Sequence, residues 1–72
     1  MKYNEKLREL REDRDLTQRD VAEMLDTTQQ QIYKYESGLQ EMTVSRLAKL
    51  CRFYGVSADY ILGLPKGLSW PR

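Results

Sequence analysis

The stretch TTQQQIYKYESG, residues 27–38, decides how the rest of the chain is read. Thr28 with Gln31 three positions later is a helix start of the capping-box kind. Ser37-Gly38 is a helix end, since glycine accepts the left-handed conformation that closes a helix. Between them Ile32 and Tyr35 stand at helical spacing. With Ile32 at zero on a wheel of about 100° per residue, Tyr35 and Glu36 fall within about 60° of it. Gln30, Tyr33, Lys34 and Ser37 fall on the other side, and Gln29, in first position, projects past the helix end. One side therefore docks on a core. The other presents an amide, a phenol, an ammonium and a hydroxyl, and no carboxylate, although the chain has 11 acidic residues to place. That composition has two readings. It is an ordinary solvated face, or it is a surface for a polyanion, which needs hydrogen-bonding groups without negative charge to repel phosphate.

Immediately upstream, Leu16-Thr17-Gln18-Arg19-Asp20 opens another helix, with Thr17 as N-cap and Asp20 at the reciprocal position. Val21, Ala22 and Leu25 form its buried face. Only Asp26-Thr27 separates the two helices. A tight pair with small or apolar residues facing inward (Ala22, Ile32) has the pattern of a helix-turn-helix, though short helical hairpins also occur in domains that never meet DNA. A first helix is expected over about residues 4–14, with a narrow stripe of Leu7 and Leu10 and with Arg8 and Glu12 spaced for a surface ion pair. Downstream, Thr43 starts a fourth helix carrying Val44, Leu47, Leu50, Cys51 and Tyr54, closed by Gly55. Ser57 caps a short fifth, Ala58 to Leu62. Tyr35, Tyr54 and Tyr60 are expected in the core, with Phe53 beside it. No segment alternates with strand period. The expected organisation is all-α, one five-helix domain over residues 1–64 and an irregular tail over 65–72, LPKGLSWPR following Gly63.

The totals narrow the function. The chain has 72 residues, 12 basic against 11 acidic, a net charge of +1, one cysteine and no histidine. A domain of this size buries roughly 60% of the surface its unfolded chain exposes, so it depends on good packing or a partner. A lone Cys51 forms no internal disulfide, reads as a small core residue and suits a reducing cytoplasm. No metal site or cofactor is expected, and no nucleophile–base pair points to an enzyme. The charged N-terminus is not that of a signal peptide, and no apolar run is long enough to span a membrane. Near-neutral charge does not advertise nucleic-acid binding, so any positive potential must be arranged locally.

Together, LTQRDVAEML (16–25), TTQQQIYKYESG and SRLAKLCRFYGVSADYILGL (45–64) closely resemble the Cro/CI-type helix-turn-helix repressors of phages and bacteria. The shared marks are Thr17-Gln18, Ala22, Ile32, Tyr35-Glu36, Gly38, Val56-Ser57 and Asp59-Tyr60. TTQQ is similar to the lambdoid phage repressors in particular. The resemblance implies a compact five-helix fold whose third helix enters the major groove of double-stranded DNA. It places Gln29, Gln30, Lys34 and Tyr33 at base-contacting positions. Gln18, Thr17, Arg19, Thr28, Gln31 and Thr43 fall at or near phosphate-contacting ones. It implies an ion pair of Arg11 with Glu36, and a homodimer at least on DNA, facing a palindromic operator. The region of Ala58, Ile61, Leu64 and Trp70 is the expected dimer contact. Three departures stand out. The loop Leu39-Gln40-Glu41-Met42 has Glu41 where a lysine or arginine is usual. Asp15 stands where glycine is usual, which predicts a positive φ there. No further domain follows in these residues, so control by self-cleavage is not expected. The function so implied is a transcriptional regulator, most simply a repressor. An antitoxin of a toxin–antitoxin pair, and a helical protein-interaction module that kept the fold without DNA, stay open.

Overall fold

In the computed structural model, which describes residues 3–63, five α-helices follow one another: α1 (Tyr3–Asp13), α2 (Gln18–Met24), α3 (Gln29–Ser37), α4 (Val44–Tyr54) and α5 (Ala58–Leu62). Hydroxyl caps set four of the five starts. The side chains of Thr17, Thr28, Thr43 and Ser57 accept from the backbone N–H of Asp20, Gln31, Arg46 and Tyr60. Each satisfies one of the donors that a helix start leaves unpaired. At Thr17 the box is complete, because Asp20 Oδ2 accepts from the Thr17 N–H at 2.9 Å. The connections reverse through left-handed residues. Asp15 (φ 55°) follows α1, Asp26 (φ 57°) follows α2, and Gly38 (φ 80°) closes α3. Aspartate tolerates this region better than most residues.

The stripes meet in one core. Leu7 and Leu10 of α1, Val21 and Ala22 of α2 with Leu25 just after it, Ile32 and Tyr35 of α3, Leu50 and Tyr54 of α4 and Ile61 of α5 are all buried. Met24, Met42, Leu47, Cys51 and Val56 pack around them. Helix α3 thus lies against α1 and α2 along its Ile32–Tyr35 side, with its other side in solvent.

Three expectations need correction, and one lies outside the described residues. Helix α1 is shifted one residue toward the N-terminus. Val44 is 84% exposed. It is the first residue of α4, and side chains lean toward a helix N-terminus, so no earlier turn lies there to cover it. Tyr60 is 52% exposed and Ile61 is 1% exposed, the reverse of the expected roles. The five-residue α5 can turn only one large side chain fully inward, and the Lys6 ammonium covers the Tyr60 ring at 4.8 Å instead. Leu64, Trp70 and the tail expected over residues 65–72 lie outside the described residues.

Candidate nucleic-acid interface

The exposed side of α3 is bounded by α2 on one flank and by the α3–α4 loop on the other. Gln29, Gln30, Tyr33 and Lys34 are all exposed along it, Tyr33 at 55%. Gln18, at the start of α2, lines one recess together with Gln29, Gln30 and Tyr33. The first turns of α2 and α3 therefore share a single surface. Arg19, next to Gln18, is exposed as well.

A charged network fixes that surface from beneath. Arg11 Nε meets Glu36 Oε2 at 2.7 Å, and Arg11 Nη2 meets Glu36 Oε1 at 3.0 Å. This is the planar, two-bond geometry that guanidinium and carboxylate favour. Arg11 Nη1 also donates to the carbonyl of Leu16 at 2.9 Å, and Gln18 Nε2 donates to Glu36 Oε1 at 3.2 Å. The pair is nearly enclosed, with side-chain exposures of 12% for Arg11 and 7% for Glu36. Hydrogen bonding to Glu36 raises the Arg11 pKa further above its already high ordinary value. One carboxylate thus ties α1, the entry of α2 and the end of α3 together, and it consumes the negative charge that would otherwise face the surface. Asn4 Nδ2 adds a bond to the Glu36 carbonyl at 3.1 Å.

Each cap oxygen of Thr17, Thr28 and Thr43 accepts a backbone N–H, and all three residues are exposed. A hydroxyl that accepts also has an O–H to donate; that of Thr17 faces the Asp20 carboxylate, and Thr43 Oγ1 lies 3.5 Å from Ser45 Oγ. Gln31 behaves differently from its expected role as the reciprocal partner of Thr28. Its Nε2 donates across to Gln40 Oε1 at 3.0 Å, bridging α3 to the loop. The Asp20 carboxyl is held below the usual carboxylate range by the Thr17 N–H and then by the Thr17 hydroxyl.

Sequence reasoning missed the loop's anchors. Met42 N donates to the Tyr3 hydroxyl at 3.0 Å, and Arg46 Nη1 donates to the Tyr35 hydroxyl at 2.6 Å. Both join residues far apart in the chain, so no local pattern announces them. No pattern along the chain singles out Gln40 either, since its partner Gln31 lies on α3. Among the described residues, no group of side chains could hold a metal ion, and no helix is long and apolar enough to cross a membrane.

A family model described as helix-turn-helix matches residues 7–61. The chain is 37% identical over 62 residues to the HTH-type transcriptional activator BcrR of Enterococcus faecalis, covering 86% of this chain and 30% of that protein. It is 37% identical over 54 residues to the cryptic phage CTXphi transcriptional repressor RstR of Vibrio cholerae, covering 75% of this chain and 49% of that one. It thus spans about a third to a half of the length of these relatives. Among solved structures, a transcriptional regulator from Listeria innocua superposes with a TM-score of 0.86 at 22% identity, over 94% of this chain and 64% of that one.

Proposed function

This chain belongs to the helix-turn-helix family of Cro/CI type, and from that premise we propose that it is a sequence-specific DNA-binding transcriptional regulator acting as a repressor. The observation that carries the reading is the exposed side of α3, where Gln29, Gln30, Tyr33 and Lys34 stand together with no carboxylate among them. In this reading the N-terminal end of α3 enters the major groove. Gln29 and Gln30 each offer a donor and an acceptor on one planar group, which matches N6 and N7 of adenine. Lys34, one turn on, reaches a guanine or a phosphate, and Tyr33 lies against the neighbouring edge. Gln18, Thr17, Arg19, Thr28 and Thr43 meet phosphates around it, which positions the helix without reading sequence. The chain works in the cytoplasm, without a cofactor and without catalysis.

One helix reads few base pairs, so a homodimer on two half-sites about 34 Å apart follows. With Ile61 in the core, the contact falls to Ala58 and Leu62. A repressor is favoured over an activator because occupancy alone suffices to block a promoter, whereas activation needs a further productive contact. BcrR, named an activator, keeps that alternative in view. The exposed loop residue Glu41 and the net charge of +1 favour the second reading, a module that binds protein and not DNA. Binding to duplexes enriched from a random pool, measured at two salt concentrations, separates them. Retained binding with preference for the enriched sequence is expected. No enrichment and no binding at low salt contradicts the DNA reading.

A further inference from the structure

Helices α1 and α4 carry one pattern with opposite charge. With Leu10 at zero on the wheel of α1, Glu5, Glu9, Glu12 and Asp13 fall together, from about −60° to about −160°. With Leu50 at zero on α4, Ser45, Lys49, Arg52 and Phe53 fall in the same arc, from about −60° to about −160°. Leu10 and Leu50 are buried, and the residues of both arcs are exposed. One flank is thus a stripe of carboxylates. The other has two cations, a hydroxyl and an aromatic ring, and no carboxylate.

The two flanks do not satisfy each other within one chain. Among the described residues, the ion pairs of α1 join Lys6 to Glu9, Arg8 to Glu12 and Arg11 to Glu36, and none reaches α4. Lys49 and Arg52 of α4, and Glu5 and Asp13 of α1, form no ion pair there. Arg46, the remaining cation of α4, is turned inward to the Tyr35 hydroxyl at 2.6 Å. Phe53 is 48% exposed beside Lys49 and Arg52, and it is held edge-on to Tyr54 with ring centroids 5.1 Å apart. Arg14 braces that end by donating to the Tyr54 carbonyl at 3.0 Å. An arginine and an exposed ring on one flank match the composition of surfaces where proteins meet.

Resting on the DNA-binding reading above, we propose that the cationic flank of α4 docks on the acidic flank of α1 in a second copy of this chain, bound at a neighbouring site on the same duplex. The partner is a second copy because the matching stripe of opposite charge lies on the chain itself, on a helix of equal length: α1 and α4 each have 11 residues. The two faces differ, so the contact is head-to-tail, unlike a two-fold contact through Ala58 and Leu62. Exposed ion pairs contribute no more than about fivefold each in affinity, so free copies stay apart. Copies held on one duplex meet at a far higher effective concentration, and there the same pairs suffice.

The test uses the full chain and a site enriched from a random pool, placed on duplexes once or twice at a series of spacings. The readout is affinity per site on the two-site duplex relative to the one-site duplex. At low salt the wild type is expected to gain about tenfold at a favoured spacing and to lose that gain as salt screens the pairs. Lys49→Glu with Arg52→Glu, and separately Glu5→Lys with Glu9→Lys, are each expected to abolish the gain. Glu12 is left in place because it pairs with Arg8. The chain with all four reversals keeps the wild-type net charge, and it is expected to match the wild type on one site and to regain the gain on two. No wild-type gain at any spacing overturns the proposal. A gain that survives either pair of reversals also overturns it. Loss of one-site affinity in Lys49→Glu with Arg52→Glu, with a shallower salt slope and the gain intact, gives α4 to DNA instead. No recovery in the four-reversal chain overturns the pairing of α4 with α1. Failure of the wild type on the one-site duplex overturns the DNA-binding reading, and this proposal with it.

Discussion

Glu36 is a carboxylate on the core side of a helix, and its neighbours decide whether that stabilises or destabilises. Paired to two nitrogens of Arg11 and accepting from Gln18, it has its oxygens satisfied. Arg11→Met should therefore cost about 3–5 kcal/mol, because it strands a buried charge. Adding Glu36→Leu should recover much of that loss, and urea unfolding of the three proteins checks both. A single variant with the wild-type midpoint would show the pair to be energetically idle. Asp15 is a second single-residue case. Its φ of 55° suits glycine, and its charge follows the C-terminus of α1, where the helix dipole disfavours an anion. Both effects have the same sign, so Asp15→Gly should raise the midpoint, by at most about 1–2 kcal/mol. Asp15→Val should lower it. The positive φ was legible because an aspartate stood where the family pattern has glycine. The left-handed Asp26 was legible only as a break, since nothing local distinguishes one kind of turn from another in so short a connection.

At the level of the helix, the starts were written in the sequence and the far contacts were not. Thr17, Thr28, Thr43 and Ser57 each announce a cap by residue type and by position before an apolar run. Their effect is testable at α2. The Asp20 pKa is depressed in the folded state, chiefly by the Thr17 backbone N–H. Its contribution is therefore present above the ordinary aspartate range and lost as the pH falls through the folded value. Thr17→Ala should cost about 1 kcal/mol at neutral pH, and the gap between wild type and Asp20→Asn should narrow on acidification. A gap that does not change with pH would mean the box is not formed in solution. What stayed illegible was which flank of a helix meets which neighbour. Val44 carries the right residue type for the α4 stripe, but its place at the helix end leaves it exposed. Tyr60 and Ile61 exchange roles because α5 is too short for periodicity to orient it. The Gln31–Gln40 bridge depends on where a loop returns, which spacing along one helix does not encode.

For the whole molecule, the near-neutral charge makes a quantitative statement about DNA. Arg11 is neutralised by Glu36 and Arg8 by Glu12. Of the residues expected at the interface, Lys34 and Arg19 carry charge without an acidic partner among the described residues. Two such cations per protomer, four in the proposed dimer, give a slope of log affinity against log salt of roughly −4. A slope near −10 would bring in cations beyond this face, with Lys49 and Arg52 of α4 the first to test. Assembly is tested by Leu62→Glu, which should weaken binding to a two-half-site duplex far more than to a single half-site. Equal losses on both would place the dimer contact elsewhere. The central claim is narrower than any of these: the amides on α3 read bases. It is tested most directly by the ratio of affinity for the enriched duplex to affinity for random duplex, at one salt concentration, in Gln29→Ala and Gln30→Ala. The account predicts that each substitution costs roughly 1–3 kcal/mol on the enriched site and much less on random DNA, so the ratio falls by about 5- to 150-fold. An unchanged ratio in both variants would contradict it and return these glutamines to ordinary helix surface.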